Sequence, residues 1–247
     1  MRQWLVVALA APLASFGEAP GNALRQTADM PTRSALMGLA AAALGIERED
    51  RAKQTELFRA IVTACGLYQS GYLLEDFHTY QTLNKAAKGA ATRGEALQNK
   101  KHLETSITRR HYRASGLWQG AYRLSEQPGN VTLEALKEAF LRPHFVPYLG
   151  RKSCPLCLPL HPQILDASDA LAAMRQHAAN NNFLKTRSLQ LISLEHHADG
   201  PASNQRPTRH KRNDNPLDRS IRWMFYPRDE WRIAVSDDIQ HEQEASL

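Results

Sequence analysis

The sequence predicts an α+β fold on three observations. An apolar, strand-like run opens the chain, two helical stretches follow it, and further sheet-like segments flank a basic stretch in the middle. With 247 residues, 43% of them hydrophobic, the chain can bury a sizeable core, so one large domain or one domain with a small appendage is expected.

The first strand is placed at residues 3–10, where Trp4, Val6 and Ala8 alternate with Leu5, Val7 and Leu9 as suits a strand buried on both faces. The same run imitates a secretory signal, with one Arg before it and small residues after it, but it is short for that purpose. The stretch M-P-T-R-S-A-L-M-G-L-A-A-A-A-L-G-I at 30–46 predicts a helix over 33–44, with Thr32 or Ser34 as N-cap and Gly45 near its end. Its first-turn amides, with Arg33 beside them, suit a phosphate.

A second helix is expected over 53–64, after the charged E-R-E-D stretch; Cys65, among Phe58, Ile61, Val62 and Leu67, reads as a buried thiol. Sheet segments follow at 67–74 and 118–124. Thr132 introduces a short helix over 133–141 with Leu133, Leu136 and Phe140 on one face. Past residue 165 the pattern gives a helix at 167–179, broken by N-N-N, and a strand at 189–194. A polar, proline-bearing basic loop is expected at 199–216, a last strand at 222–226, and a disordered acidic tail from Asp237. The domain reading is a core over 1–165 and a smaller C-terminal lobe over 166–247. No later apolar stretch reaches the length of a membrane span, since even residues 35–46 are too few.

A net charge of +6 and a pI near 9.3 favour a polyanionic partner. Placement says more than the total. Between residues 85 and 113 stand Lys85, Lys88, Arg93, Lys100, Lys101, Arg109, Arg110 and Arg113 against only Glu95 and Glu104. Such a segment reads as an arm along a nucleic-acid backbone or as a solvated loop. The stretch P-Y-L-G-R-K-S-C-P-L at 147–156 adds an aromatic face at Tyr148, a turn at Gly150 that lets main-chain amides approach a ligand, and the cations Arg151 and Lys152 next to Ser153.

Two other chemistries are open to these residues. Cys154, Cys157 and His161 form half of a zinc site that lacks a fourth ligand, so no metal or other cofactor is assigned, and three cysteines without a disulfide framework fit a reducing cytosol. His78, His111, Tyr112 and Lys101 include the residue types of a metal-free ribonuclease, although nothing in their spacing places them together.

P-T-R-S-A-L-M-G-L and Y-L-G-R-K-S-C-P-L, with D-F-H-T at 76–79 between them and E-T-S-I-T-R-R-H-Y at 104–112, occur in the order and spacing of the CasD family of the type I-E CRISPR Cascade complex, which the chain resembles from Met1 to about His161. The resemblance implies a ferredoxin-like (RRM-like) core with an antiparallel sheet and an inserted basic thumb hairpin over about 81–111. It implies a cytoplasmic, non-catalytic subunit that binds the 5′ handle of the CRISPR RNA and caps a backbone of repeated subunits in antiviral defence. Relatives in type I-C systems cut repeat RNA themselves, which keeps a metal-independent endoribonuclease as the alternative. Implied partners are the CRISPR RNA, the backbone and large subunits, and target DNA indirectly, with no membrane. The expected RNA contacts are Thr32, Arg33, Ser34, His78, Lys100, Lys101, Arg109, Arg110, Tyr148, Gly150, Arg151, Lys152 and Ser153. The chain departs from the family pattern after Tyr112, at R-A-S-G, and in its long basic C-terminal segment.

Overall fold

A computed structural model of the chain describes residues 1–17, 24–89, 91–202, 206–218 and 224–235. The first strand, β1 (Arg2–Ala14), is longer than its apolar run and buried from Trp4 to Ala11. A two-residue strand β2 (Leu24–Arg25) and helix α1 (Arg33–Ala43) follow, the helix capped by Thr32, whose hydroxyl accepts from the Ala35 amide. Helix α2 (Arg51–Ala60) stops short of the expected 64, because Ile61–Gln69 is a strand, β3, on which Cys65 sits fully buried. A continuous apolar run buried on both sides carries no period that separates strand from helix.

Strand β4 (Tyr72–Leu83) and the long β5 (Leu103–Leu124) complete a ribbon, and helix α3 (Arg93–Gln98) with a one-turn 3-10 helix (Lys100–His102) forms its tip. Helix α4 (Leu133–Leu141), β6 (Gln163–Ala167), α5 (Ala170–Ala179), β7 (Leu191–Leu194), β8 (Thr208–Asp218) and β9 (Met224–Ala234) close the chain. Leu133, Leu136 and Phe140 are the buried face of α4. Much of the stretch expected as a basic loop is thus β8, whose charged side chains stand on a strand. The start of the expected last strand, at 222 and 223, and the acidic tail lie outside the described residues.

Among the described residues the strands form one nine-stranded, mostly antiparallel sheet with the path β6-β1-β5-β3-β7-β9-β8, to which β2 and β4 add along β5. Odd residues of β1 (Leu5, Val7, Leu9) pack with Trp118, Tyr122 and the apolar faces of α1 and α4. Even residues (Trp4, Val6, Ala8) pack with Leu117, Ala121 and α5 on the other side. This alternation is the period of two that a strand imposes. The segment after residue 165 is continuous with this architecture: α5 covers the second face and β7 pairs with β3. No described helix is long and apolar enough to cross a membrane.

Two clusters of polar groups inside the fold are paired within the chain, one on the β8–β9 hairpin and one beside α5. Glu230, 2% exposed, accepts from Arg212 at 3.1 Å and Arg232 at 2.5 Å, and Arg228 lies 3.5 Å away. Arg228 also grips Asp214 with two nitrogens, and Arg232 grips Asp29 in the same way. On the α5 side, His177 is buried with Gln119: the Gln119 amide donates to His177 Nδ1, Nε2 donates to the His161 carbonyl, and the Tyr68 hydroxyl donates to Gln119 Oε1. Burial is the main cause that lowers the His177 pKa to about 4, against the opposing hydrogen bond to His161.

The ribbon leaves the core at one level. β3 and β4 run along the same edge of β5, pairing through Gln69↔Leu117 and then Tyr72↔Ala114. Between them Gly71 (φ 74°) and, on the facing strand, Ser115 (φ 59°) both adopt the left-handed conformation. A Cβ on Gly71 would lie 2.3 Å from the Ala114 carbonyl oxygen, so glycine is required there. Beyond this joint most of β4 is exposed.

Candidate nucleic-acid interface

The arm formed by β4 and β5 has two faces fixed by its register. Glu75 pairs with His111 and Phe77 with Arg109, so these four share one face with Leu73 and Arg113. Asp76 pairs with Arg110, His78 with Thr108 and Leu74 with Tyr112 on the opposite face. Contacts follow that division. Glu75 accepts from His111 at 3.0 Å and lies 3.7 Å from Arg109, which stands 5.9 Å from the Phe77 ring, while His78 meets Asp76. Apolar side chains are exposed on both faces, Phe77 and Ile107 on one, Tyr72 and Tyr80 on the other.

The turn at 148–155 is brought to the root of this arm. Tyr148 bridges to Pro155, the Leu149 amide donates to the Cys154 carbonyl, and the Ser15 amide donates to Leu149. Gly150 (φ 88°) lies so close to β1 that a Cβ would sit 1.7 Å from the Ser15 carbonyl oxygen. Glycine is needed there because the chain's own backbone leaves no room for a side chain. Arg151 stacks 4.6 Å above the Tyr112 ring and donates to the His111 and Arg25 carbonyls, both at 3.3 Å. Lys152 and Ser153 stay exposed beside it and Tyr148 is 37% exposed. β2 completes the cluster, setting Arg25 against Arg110 and Leu24 against Arg109 on the edge of β5.

The helix start expected to hold a phosphate is different. Thr32 is 4% exposed and within 3.0 Å of the Ser34 hydroxyl. The Arg33 amide donates to Asp214 Oδ2 at 2.8 Å, so the anion at the α1 N-terminus is a carboxylate of β8. The Arg33 side chain, 5% exposed, bonds Glu195 at 2.7 Å, Asn215 at 3.0 Å and the carbonyls of Phe58 and Ile61. The groups of Thr32 and Arg33 expected to meet a phosphate are thus engaged by a hydroxyl, two carboxylates, an amide and two carbonyls of the chain itself. Lys100 and Lys101 stand exposed at the arm tip, away from the root cluster. Arg110 is half-buried, and its Nε, like the Thr108 hydroxyl, is buried with no hydrogen-bond partner among the described residues.

Catalytic and metal constellations are not assembled from the named residues. His78 and His111 point from opposite faces of the ribbon, Tyr112 is buried under Arg151, and Lys101 is at the tip. Cys154 is buried, which pushes its thiol pKa up, while Cys157 is exposed. No group of three His, Cys, Asp or Glu among the described residues is placed to hold a metal ion. Residues the sequence did not single out as contacts also line the arm root: Arg25, Arg113, and the β8 residues His210 and Lys211, whose only signal was a basic composition.

The class of protein to which this fold and its basic arm belong is CRISPR-associated, as a family match shows. The family model described as CRISPR-associated protein (Cas_Cas5) matches residues 4–230. The "CRISPR system Cascade subunit CasD" of Escherichia coli (strain K12) is 32% identical over 182 residues, 70% of this chain and 76% of that protein. The chain therefore belongs to the CasD family of CRISPR-associated proteins. Among solved structures, a chain of a "CRISPR RNA-guided surveillance complex" superposes with a TM-score of 0.61 at 20% identity, covering 94% of this chain and 90% of that one. A "Crystal structure of Cas protein" gives 0.54 at 22% identity, covering 94% of each.

Proposed function

We propose that the chain is a cytoplasmic, non-catalytic subunit of a type I-E Cascade surveillance complex that holds the 5′ handle of the CRISPR RNA and caps the backbone of repeated subunits. The observation that carries this reading is the docking of the 148–155 turn onto the arm root through Arg151, which gathers exposed cations and Tyr148 beside a projecting basic ribbon. The order β1-α1-β3-β5-α4-β6, with β6-β1-β5-β3 side by side and antiparallel, supports a ferredoxin-like core beneath it.

The contacts are Tyr148, Arg151, Lys152 and Ser153 at the root, Arg109, Arg110 and His78 along the arm, and Lys100 and Lys101 at its tip. Single-stranded RNA offers base faces to Tyr148 and phosphates to the cations, each stacked base being worth about 1–3 kcal/mol. The apolar side chains on both arm faces are covered by a neighbouring backbone subunit, and the large subunit and target DNA join through the complex. Guide base pairing reads the target while protein fixes geometry.

The test is the salt dependence of binding between the full chain and a labelled single-stranded RNA carrying the repeat-derived handle. Arg151→Ala with Lys152→Ala lowers the slope of log K against log salt by roughly 1.4, at about 0.7 per phosphate no longer neutralised. Unchanged affinity and slope count against the handle site.

A further inference from the structure

A concavity of about 410 Å³ lies on the α1 side of the arm root, within the size range of small-ligand sites of roughly 300–1,000 Å³. Asp29, Arg113, His210, Lys211, Arg212 and Arg232 line it. It is assembled from three parts of the chain far apart in sequence: the segment before α1, the root of β5, and the β8–β9 hairpin. The ion pairs account for only part of its charge. Asp29 and the buried Glu230 neutralise Arg212 and Arg232. Arg113 donates from Nε to the Ala28 carbonyl at 3.2 Å, and its terminal guanidinium nitrogens bond nothing among the described residues. Lys211 reaches a carboxylate, Asp229, only at 3.7 Å, and His210 is exposed. Three carboxylates, Asp29, Glu230 and the more distant Asp229, thus face four cations, and among the described residues no carboxylate pairs with Arg113.

We propose that this concavity is a second RNA-binding site, which takes the phosphodiester of a nucleotide next to the segment held at the arm root. The register of β5 supplies the direction. Arg109, His111 and Arg113 occupy alternate positions, so they share a face and stand about 6.6 Å apart in a row that ends at the cavity mouth. A strand lying on that row passes from the arm into the pocket. Asp29, held below its ordinary carboxylate pKa because the hydrogen bond and charge of Arg232 outweigh the effect of burial, keeps two guanidinium groups pointed at the cavity instead of repelling them. The site rests on the RNA-binding reading above, and three of its lining residues, His210, Lys211 and Arg212, lie in the segment expected to be a basic loop.

The experiment measures binding of the full chain to the handle RNA, and to DNA of the same sequence, across a salt series. Arg113→Gln and, separately, the paired His210→Ala and Lys211→Ala lower the RNA affinity several-fold and lower the salt slope by about 0.7 for each phosphate left without its cation. The second variant alters only exposed positions of β8, so the test stands if Arg113→Gln fails to fold. Binding by the wild type with no change of affinity or slope in the variants overturns the pocket and leaves the handle site standing. Absence of RNA binding by the wild type overturns both. Weakening toward DNA alone, with RNA untouched, also overturns the assignment.

Discussion

The start of α1 and the turn at 150–153 both pair a cation with exposed-looking backbone amides in the sequence, yet they end in opposite conditions. At the helix start, Asp214 takes the amide and Glu195 the guanidinium, so the site is closed by the protein. At the turn, Arg151 is anchored on Tyr112 while Lys152 and Ser153 face solvent. A motif of this kind states that an anion will be present; only the tertiary arrangement states whether the chain supplies it. Residues 162 and 181 positions from Arg33 decided the matter.

The contrast breaks if disturbing the closed site proves harmless. Arg33→Ala leaves the partly buried Glu195 without its cation and is expected to destabilise the fold by about 3 kcal/mol in denaturant unfolding. Per folded molecule, RNA affinity should stay as it was. A second closed polar site sharpens the point through pH. His177 titrates at about 4 when folded, against 6.5 as an ordinary imidazole, so the unfolded chain binds more protons between those values. Its stabilisation is complete above pH 6.5 and is lost as pH falls toward 4, a difference on the order of 3 kcal/mol. Denaturant midpoints across that window, compared between wild type and His177→Gln, should show the steeper fall in the wild type.

Smaller effects separate structure from binding within the turn itself. Gly150→Ala meets the Ser15 carbonyl and is expected to cost roughly 1–3 kcal/mol, read as a lowered melting temperature. Lys152→Ala touches nothing buried. It should change stability by less than about 0.5 kcal/mol while reducing the RNA salt slope by about 0.7. If Lys152→Ala instead unfolded the chain and left RNA binding intact, the two sites would not differ as described.

What could be read from the residues follows the range of the forces involved. The first strand, α1 with its Thr32 cap, and the buried face of α4 were legible because alternation, capping and helical spacing are local. The boundary at Ile61 was not, since β3 is buried on both faces and its apolar run has no polar side to reveal the period. β8 was hidden by Pro, Asn and basic residues that suit a loop in isolation. They are held in a strand by β9 and by carboxylates at Asp214 and Glu230. For the site, the need for glycine at 150 was visible and its cause was not, because Ser15 lies on a distant strand. Arg113 and His210 carried no signal beyond charge until the fold set them on one cavity.

The twin left-handed residues Gly71 and Ser115 mark the joint from which the arm projects. Beyond them, inserting two residues in each strand would push the tip outward by about 6.6 Å with every cation still facing its original side. Inserting one residue per strand would turn the distal cations over to the reverse side. The reach of the arm is therefore adjustable only in steps of paired residues, much as a ratchet admits some lengths and refuses those between.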